Sequence, residues 1–284
     1  MTGEEFDYLC RLLRERSGLV LTRDKAYLLE SRLLPVARKR GMKSLDELIP
    51  ALRSHPESDV LRDVIEAMTT NESFFFRDVK PFDQFRNFVL PRLIRARATR
   101  KSLRIWSAAC SSGQEPYSIA MILSDERMRL AGWQIEIVAS DLSTEILEKA
   151  EAGLYSQFEV QRGLPIQLLV KYFKQQGDRW QLDAGIRSMV KFRCHNLLED
   201  FASLGQFDVI FCRNVLIYFD QVTKAAVLER VARMLPPDGY LYLGGAETVI
   251  GITDRFQSLT EQRGIYSPTT VAAAAAAPRA ASAI

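Results

Sequence analysis

The 284-residue sequence has few residues that bind metals or form disulfides, with only four cysteines and two histidines. The cysteines lie far apart and show no C-x-x-C spacing, which excludes a zinc ribbon and gives no disulfide framework. Reduced thiols, as in cytosolic proteins, are therefore expected. Two histidines are too few for a histidine-based metal centre, so the sequence predicts no metal.

Long apolar segments and a large net charge are also missing. No apolar run approaches the length of a membrane span, and the acidic N-terminus lacks the apolar core of a signal peptide. The net charge of +3 is too small for wholesale nucleic-acid binding. We therefore expect a cytoplasmic protein that neither inserts into membranes nor binds nucleic acid.

The composition that is present is typical of a soluble globular protein, with 47% hydrophobic and 26% charged residues. Helical periodicity without a strand signal extends over residues 1–70, and residues 71–100 are predicted to form a linker with connecting helices. Strands and helices alternate over residues 101–268, which predicts a mostly parallel sheet. The alanine-rich tail, residues 269–284, is predicted to be disordered.

The alternating region is interrupted at about residues 164–190. Short alternating runs at residues 180–182 and 186–190 predict half-buried strands of a small antiparallel β-subdomain, inserted before the next core strand. Upstream of the first core strand, the basic side chains of residues 92–104 are predicted to form a solvated surface.

One strand–loop–helix unit, residues 103–120, has the features of a ligand site. An apolar strand is followed by a tight loop of small residues, 109–113, and a helix begins near Glu115 with Pro116 in its first turn. In open α/β folds, ligands bind at this carboxyl edge of the sheet. The loop is neither a P-loop nor a full dinucleotide fingerprint, and Glu115 favours a cationic ligand or a ribose over a pyrophosphate. The alternative is an ordinary strand–helix turn.

A second acidic residue, Asp141, ends the next apolar strand. A carboxylate there accepts hydrogen bonds from a ribose diol in dinucleotide-binding folds, although it could also cap the following helix together with Ser143. Further along, Arg213, Asn214 and Tyr218 follow another buried strand and are expected over the same crevice. The small-residue loop at 109–113 and Asp141 together favour a nucleoside-type ligand.

Two other segments allow more than one interpretation. In TTNESFFFRD, residues 69–78, Thr70 or Asn71 can cap a helix whose three phenylalanines are buried on several sides. This segment is either a core linker helix or a lid over a ligand pocket. The basic residues of the second predicted helix form either a solvated face or a surface for an acidic partner.

Four motifs resemble the CheR family of chemotaxis-receptor glutamate methyltransferases, which use S-adenosylmethionine. They are TTNESFFFR at residues 69–77, IWSAACSSGQEPYSIA at 105–120, ASDLS at 139–143 and FDVIFCRNVLIYFD at 207–220. The resemblance covers about residues 6–267. It implies an α/β fold, in which an N-terminal all-helical domain precedes a Rossmann-like class I methyltransferase domain with a small inserted antiparallel β-subdomain.

The resemblance also implies the site residues. Arg77 and Tyr218 match the residues that the family places beside the transferred methyl group, and they are the predicted catalytic residues. Ser73 stands where a threonine is expected in close relatives, and it keeps the hydroxyl. The residues predicted to bind S-adenosylmethionine, or its product S-adenosylhomocysteine, are Asn71, Ser73, Arg77, Ala109, Glu115, Asp141, Asn196, Leu197, Cys212, Arg213 and Asn214.

By the same resemblance the chain is expected to be a monomeric protein-glutamate O-methyltransferase. It would form glutamyl methyl esters on the cytoplasmic helices of methyl-accepting chemotaxis receptors. Those helices are acidic, so Arg32, Arg38 and Lys39 are candidate docking residues. Some relatives grip a receptor pentapeptide with a glycine-rich loop, and the short loop at residues 175–179 predicts pentapeptide independence. The alternatives are a methyltransferase for another acceptor, such as RNA or a small molecule, and a regulatory module that binds S-adenosylmethionine without catalysis.

Overall fold

A computed structural model describes residues 1–55 and 59–269, so the predicted disordered tail lies outside the described residues apart from its first residue. The N-terminal part is all-helical, as predicted. Thr2 begins the first helix in a capping box with Glu5, and Gly18 ends it with left-handed backbone at a φ of 76°. The apolar stripes of the helices meet in one core. The helices are α1 (Gly3–Ser17), α2 (Ala26–Lys39), α3 (Leu45–Ser54) and α4 (Asp59–Met68).

Residues 69–79 connect the helical domain to the rest of the chain without forming a helix, so the predicted linker helix is wrong. Phe76, Asp78 and Val79 have positive φ angles of 50°, 69° and 49°, which an α-helix of L-residues does not allow. The expected burial is found nonetheless, because Phe75 is fully buried and Phe76 nearly so. The phenylalanines therefore anchor an irregular turn.

Connecting helices lead from this turn to the sheet: α5 (Lys80–Gln84), a π-helical turn (Phe85–Val89) and α6 (Leu90–Ala96). The basic segment that follows is only partly the solvated surface that was predicted, because Arg97 is buried. Its guanidinium pairs with Asp208 at 2.9 Å and with Asp238 at 2.5 Å. Hydrogen bonds to Asp238 and Asp208 raise the pKa of Arg97, so this arginine is a structural cation.

The rest of the chain alternates strands and helices. Its strands are β1 (Ser102–Ala108), β2 (Gln134–Asp141), β3 (Leu154–Ser156), β4 (Phe173–Gln176), β5 (Arg179–Leu182), β6 (Val190–Cys194), β7 (Val209–Cys212), β8 (Tyr240–Leu243), β9 (Phe256–Ser258) and β10 (Ile265–Pro268). Its helices are α7 (Gln114–Asp125), α8 (Thr144–Ala152), α9 (Gln157–Gln161), α10 (Ile166–Tyr172), α11 (Ala184–Arg187) and α12 (Gln221–Arg233). None of the helices in the described part of the chain has the length and apolar character to cross a membrane.

The main sheet has the strand order β6-β2-β1-β7-β8-β10-β9. The first five of these strands are parallel, and β10 and β9 add antiparallel pairs at one edge. Alternate side chains of β1 enter cores on opposite faces, since Ile105 packs in the core that contains α7 residues and Trp106 in the core of α12. The Rossmann-like α/β fold class is thereby confirmed. The strand order reverses between β1 and β7, where sheets of this kind bind ligands.

A second, antiparallel sheet has the order β3-β5-β4, which confirms a small antiparallel subdomain. Its strand β3 precedes the expected bounds of the subdomain and was not predicted. The predicted strand at residues 186–190 is wrong in its first half, because α11 forms there. Asp183 begins α11 by accepting hydrogen bonds from the backbone N–H groups of Gly185 and Ile186, and these bonds favour a helical turn.

Candidate functional site

A cleft opens where β1, β2, β6 and β7 end, and the helical domain and residues 69–77 form its opposite wall. About 1010 Å³ of space lies between its walls, a volume that includes space open to solvent. The predicted cofactor-binding and catalytic residues that line the cleft are Asn71, Ser73, Arg77, Ala109, Glu115, Asp141, Asn196, Leu197, Arg213, Asn214 and Tyr218.

The loop after β1 forms the floor of the cleft. Ala109 and Ser111 have positive φ angles of 54° and 50°, and Gly113 has a φ of 88°. Such backbone in non-glycine residues is strained and needs support from its surroundings. The hydroxyl of Ser111 donates to the carbonyl of Asn71 at 2.8 Å, which ties the floor to the linker. A Cβ atom at Gly113 would lie 3.1 Å from the side chains of Ala150 and Tyr117, so this position has little room for a side chain.

Asp141 lies beside this loop at the end of β2. One carboxylate oxygen accepts a hydrogen bond from the Ser111 N–H at 2.8 Å and the other from the Ser143 N–H at 3.1 Å. Only 7% of the residue is exposed, and burial raises the pKa of the Asp141 carboxyl. Asp141 is not the cap of the following helix. Ser143 caps α8 instead, because its hydroxyl accepts a hydrogen bond from the Ile146 N–H. Asp141 is therefore left to hold the loop and to face the cleft.

Glu115 is paired with a partner that the sequence did not reveal. Its carboxylate accepts a hydrogen bond from the Ser107 hydroxyl at 2.8 Å and pairs with Arg213 at 2.9 Å. The guanidinium of Arg213 also pairs with Asp78 at 2.7 Å and donates to the Arg77 carbonyl at 3.0 Å. The two carboxylates compensate the buried arginine, and together they fix the positive-φ turn of the linker onto the sheet.

The two predicted catalytic residues come from opposite walls of the cleft. Arg77 donates to the carbonyl of Glu72 at 3.0 Å, and its guanidinium carbon lies 5.5 Å from the centre of the Phe74 ring. Tyr218 is on the short turn after β7, and its carbonyl accepts a hydrogen bond from the Val20 N–H at 2.9 Å. Both side chains are half-buried, so a ligand in the cleft can reach them.

The residues after β6 form the far end of the cleft. The amide of Asn196 donates to the Arg16 carbonyl at 2.7 Å and accepts from the Leu198 N–H at 3.0 Å, so its side chain joins the two domains. The neighbouring His195 also lines the cleft, although it was not predicted as a site residue. Its Nε2 atom is buried without a hydrogen-bond partner in the described residues, and burial lowers the pKa of this imidazole.

Cys212 is the one predicted cofactor-binding residue that does not line the cleft. It is fully buried in β7, and burial raises the pKa of its thiol well above the usual value. Two further residues, Ser17 and Leu19, reach the cleft from the end of α1 and were not predicted. Neither carries a local signal, because their place in the wall depends on how the two domains pack.

The candidate docking residues on α2 lie in different environments. Arg32 donates to the carbonyls of Met68 and Thr69 at 3.0 and 3.1 Å, and so caps the end of α4. Lys39 is exposed and lies 3.9 Å from Asp63, a weak surface pair. Arg38 is exposed near the end of the helix. Of the three, Arg32 has a clear structural task.

The chemistry of the cleft fits a nucleoside without phosphates. A buried carboxylate, Asp141, is available to a ribose diol, and the small residues of the loop leave the backbone accessible. The guanidinium of Arg213 is bonded to protein carboxylates and that of Arg77 to a protein carbonyl. To bind a pyrophosphate, these guanidinium groups would have to donate to its oxygens instead. The residues present therefore fit S-adenosylmethionine better than a dinucleotide.

Comparison with known proteins agrees with the motifs. Residues 4–69 match the family model described as CheR methyltransferase, all-alpha domain, and residues 71–265 match CheR methyltransferase, SAM binding domain. The chain is 42% identical to chemotaxis protein methyltransferase Cher2 of Pseudomonas putida, over 92% of this chain and 96% of that protein. It is 43% identical to chemotaxis protein methyltransferase 1 of Pseudomonas aeruginosa, with the same coverage.

One solved structure shows a more distant similarity. The glycopeptide N-methyltransferase MtfA aligns with 54% of this chain and 51% of its own at 17% identity, and the TM-score of 0.32 is too low for a functional comparison. The two family models cover the chain almost end to end, and the curated relatives extend over the same residues. On these matches, the chain belongs to the CheR methyltransferase family.

Proposed function

We propose that this protein transfers a methyl group from S-adenosylmethionine to glutamate side chains of chemoreceptors and so forms glutamyl methyl esters. The supporting observation is the cleft. Its lining includes Asp141, a buried carboxylate suited to a ribose, together with Arg77 and Tyr218. The relatives named chemotaxis protein methyltransferase support the acceptor class. S-adenosylmethionine, when bound, supplies a methyl group on a sulfonium, which is an excellent leaving group.

The acceptor explains why the cleft needs no catalytic triad. A glutamate carboxylate has a pKa of about 4.3 and is already ionised at neutral pH, so no general base is required. The protein has to remove water from this carboxylate and hold it in line with the methyl group, and positioning of that kind supplies roughly 7–11 kcal/mol. Arg77 and Tyr218 are the side chains for this task. The guanidinium of Arg77 is already shared with the Glu72 carbonyl, so its contact with the acceptor is partial and leaves the nucleophile reactive.

A labelled-transfer assay tests the proposal. The protein is incubated with S-adenosylmethionine carrying a radioactive methyl group and with a receptor cytoplasmic fragment. We expect label in the receptor that is released by mild alkali, because carboxyl methyl esters hydrolyse there and most N-methyl groups do not. Label that resists alkali would indicate another acceptor chemistry. Binding of the cofactor without any transfer would identify a regulatory module.

Arg77 can be tested against a neighbouring arginine. We expect Arg77→Ala to lower kcat for methyl transfer at saturating cofactor by roughly 10–100-fold, since it loses one of the groups that orient the acceptor. Arg162→Ala is the matched control, because Arg162 lies over the same Phe74 ring at 4.5 Å but does not itself line the cleft. Cofactor affinity is measured separately by calorimetry. Normal turnover of Arg77→Ala would remove this residue from the chemistry.

The receptor helices are acidic, and the exposed end of α2 is the proposed docking surface. Arg38 and Lys39 are its exposed cations, while Arg32 supports it by capping α4. We expect Arg38→Glu to weaken receptor binding several-fold at low salt, with a smaller difference at high salt, because screening weakens exposed charge pairs. Arg127→Glu makes the same charge change just beyond the end of α7 and should leave binding unchanged. A receptor affinity that does not change with salt concentration would contradict this docking mode.

The subdomain supports recognition without a receptor pentapeptide. β4 ends at Gln176 and β5 begins at Arg179, so the hairpin loop contains only Gly177 and Asp178. A loop of this length cannot wrap around a peptide. Titration with a peptide from the receptor C-terminus should give no heat of binding in the calorimeter, and micromolar affinity would refute this part of the proposal.

A further inference from the structure

The segment after β8 contains a carboxylate whose role the sequence did not reveal. The chain turns at Gly244, and the N–H of Glu247 donates to the Gly244 carbonyl at 2.9 Å. The side chain folds back, so that one carboxylate oxygen accepts hydrogen bonds from the N–H groups of Gly244 at 2.6 Å and Asn214 at 2.8 Å. The other oxygen accepts from the Ile217 N–H at 3.2 Å. One carboxylate thus joins two segments that are far apart in sequence.

The segment that Glu247 holds is the turn that carries Tyr218. It begins at Asn214, whose φ of 59° is left-handed, and continues as a short 3-10 helix over Leu216–Tyr218. A left-handed residue followed by so short a helix forms few internal backbone hydrogen bonds. Two of them run from the Tyr218 N–H to the Val215 carbonyl at 3.2 Å and from the Phe219 N–H to the Leu216 carbonyl at 3.0 Å. Hydrogen bonds to an ionised acceptor are the stronger kind. Glu247 is therefore a main support of this turn on the side of the sheet.

Gly244 shows how closely this junction is packed, since a Cβ atom there would lie 2.7 Å from the Glu247 carboxylate. A Cβ atom at this position would lie 2.7 Å from the Asn214 side-chain nitrogen and 2.9 Å from the Asn214 backbone nitrogen. At the next position, Gly245, a Cβ atom would meet nothing within 4 Å. Neither glycine has a positive φ, so alanine suits the backbone at both positions. The turn is packed against Gly244 closely enough that one methyl group would displace it.

We propose that Glu247, with Gly244, is a positioning residue for methyl transfer: it fixes the Asn214–Tyr218 turn and thereby sets where the Tyr218 side chain meets the acceptor carboxylate. This rests on the proposed function, because it requires Tyr218 to act in the reaction. Glu247 does not itself line the cleft, whereas Asn214 and Tyr218 do. Its effect reaches the reacting atoms through the turn.

The test is a double-mutant cycle with Tyr218. In the full-length protein, Glu247→Ala should lower kcat for methyl transfer by roughly tenfold or more, with a smaller change in affinity for S-adenosylhomocysteine. In a Tyr218→Phe background the same substitution should lower kcat by less than about twofold, since the group it positions is already gone. Glu247→Gln keeps one acceptor oxygen and should recover part of the activity. Asp183→Ala removes another backbone-binding carboxylate away from the cleft and serves as the control.

The glycine pair provides a second route if Glu247→Ala unfolds. Gly244→Ala should reproduce the loss of kcat, and Gly245→Ala should behave as wild type, with thermal melting measured for both. Equal loss from Glu247→Ala in the wild-type and Tyr218→Phe backgrounds, or full activity of Gly244→Ala, would overturn the inference. If wild type transfers no methyl group, it is the proposed function that fails. If Tyr218→Phe is fully active, the Tyr218 hydroxyl has no role in the reaction and the inference about Glu247 is overturned.

Discussion

Replacement of Asp141 by asparagine tests the assignment of the cleft to a ribose. In the free protein this carboxylate already accepts two backbone hydrogen bonds, from Ser111 and Ser143, and Asp141 lines the cleft. Asparagine keeps the shape and one acceptor oxygen but loses the charge. A hydrogen bond to a charged group contributes about 1.5–3 kcal/mol and a neutral one about 0.5–1.5 kcal/mol, so each ribose hydroxyl loses about 1–1.5 kcal/mol.

Two ribose hydroxyls therefore lose about 2–3 kcal/mol, which corresponds to roughly 30- to 150-fold weaker binding. The measurement is calorimetric titration with S-adenosylhomocysteine. Glu145→Gln removes one negative charge from the exposed first turn of α8 and should bind as wild type. An affinity of Asp141→Asn within twofold of wild type would refute the assignment of this carboxylate to the ribose.

The pH dependence gives the same test a second readout. Burial raises the pKa of Asp141 in the free protein, while donors from a diol favour its ionised form and lower the pKa in the complex. Binding therefore releases a proton in the window between the two pKa values. Affinity should rise with pH through this window and level off above the pKa of the free protein. Asp141→Asn should lack this dependence.

Two further predictions concern stability, measured by urea unfolding. Arg213→Met should lower the free energy of unfolding by about 3–5 kcal/mol, because it leaves Glu115 without its ion-pair partner in a buried position; an unchanged midpoint would show that the pair contributes nothing. Phe75→Ala should lower the free energy of unfolding by about 3–5 kcal/mol, since the ring is fully buried against Tyr155. Phe74→Ala removes a half-buried ring and should lower it by less. Equal losses from the two substitutions would contradict the packing described.

The sequence predicted those parts of the fold and site that follow from local pattern. The apolar run of β1, the small residues after it and the acid that ends β2 all lie within short segments, so periodicity and position suffice to place them. Asp141 reaches the cleft for that reason. The same local reasoning succeeded with the helices of the N-terminal domain, whose apolar stripes repeat at helical spacing.

Features that depend on distant partners were not predictable. Arg97 resembled any surface arginine, because Asp208 lies 111 residues further along the chain. Arg213 is likewise compensated by Asp78, which is 135 residues away. The linker was predicted as a helix because its positive φ angles occur at residues other than glycine. Such residues give no sequence signal for left-handed backbone. Tertiary contacts hold this conformation, and they are absent from any short window of sequence.

The sharing of the cleft between the two domains has a thermodynamic consequence. Ser17 and Leu19 line the cleft from the N-terminal domain, and Asp141 lines it from the end of a sheet strand. A ligand that touches both sides binds only when the two domains are docked, so at a hundred times its Kd it adds about 2.7 kcal/mol to their association. Scanning calorimetry should thus show the domains melting closer together as cofactor is added. The sheet domain expressed alone should bind the cofactor more weakly, because Ser17, Leu19 and Met68 would be missing from the wall.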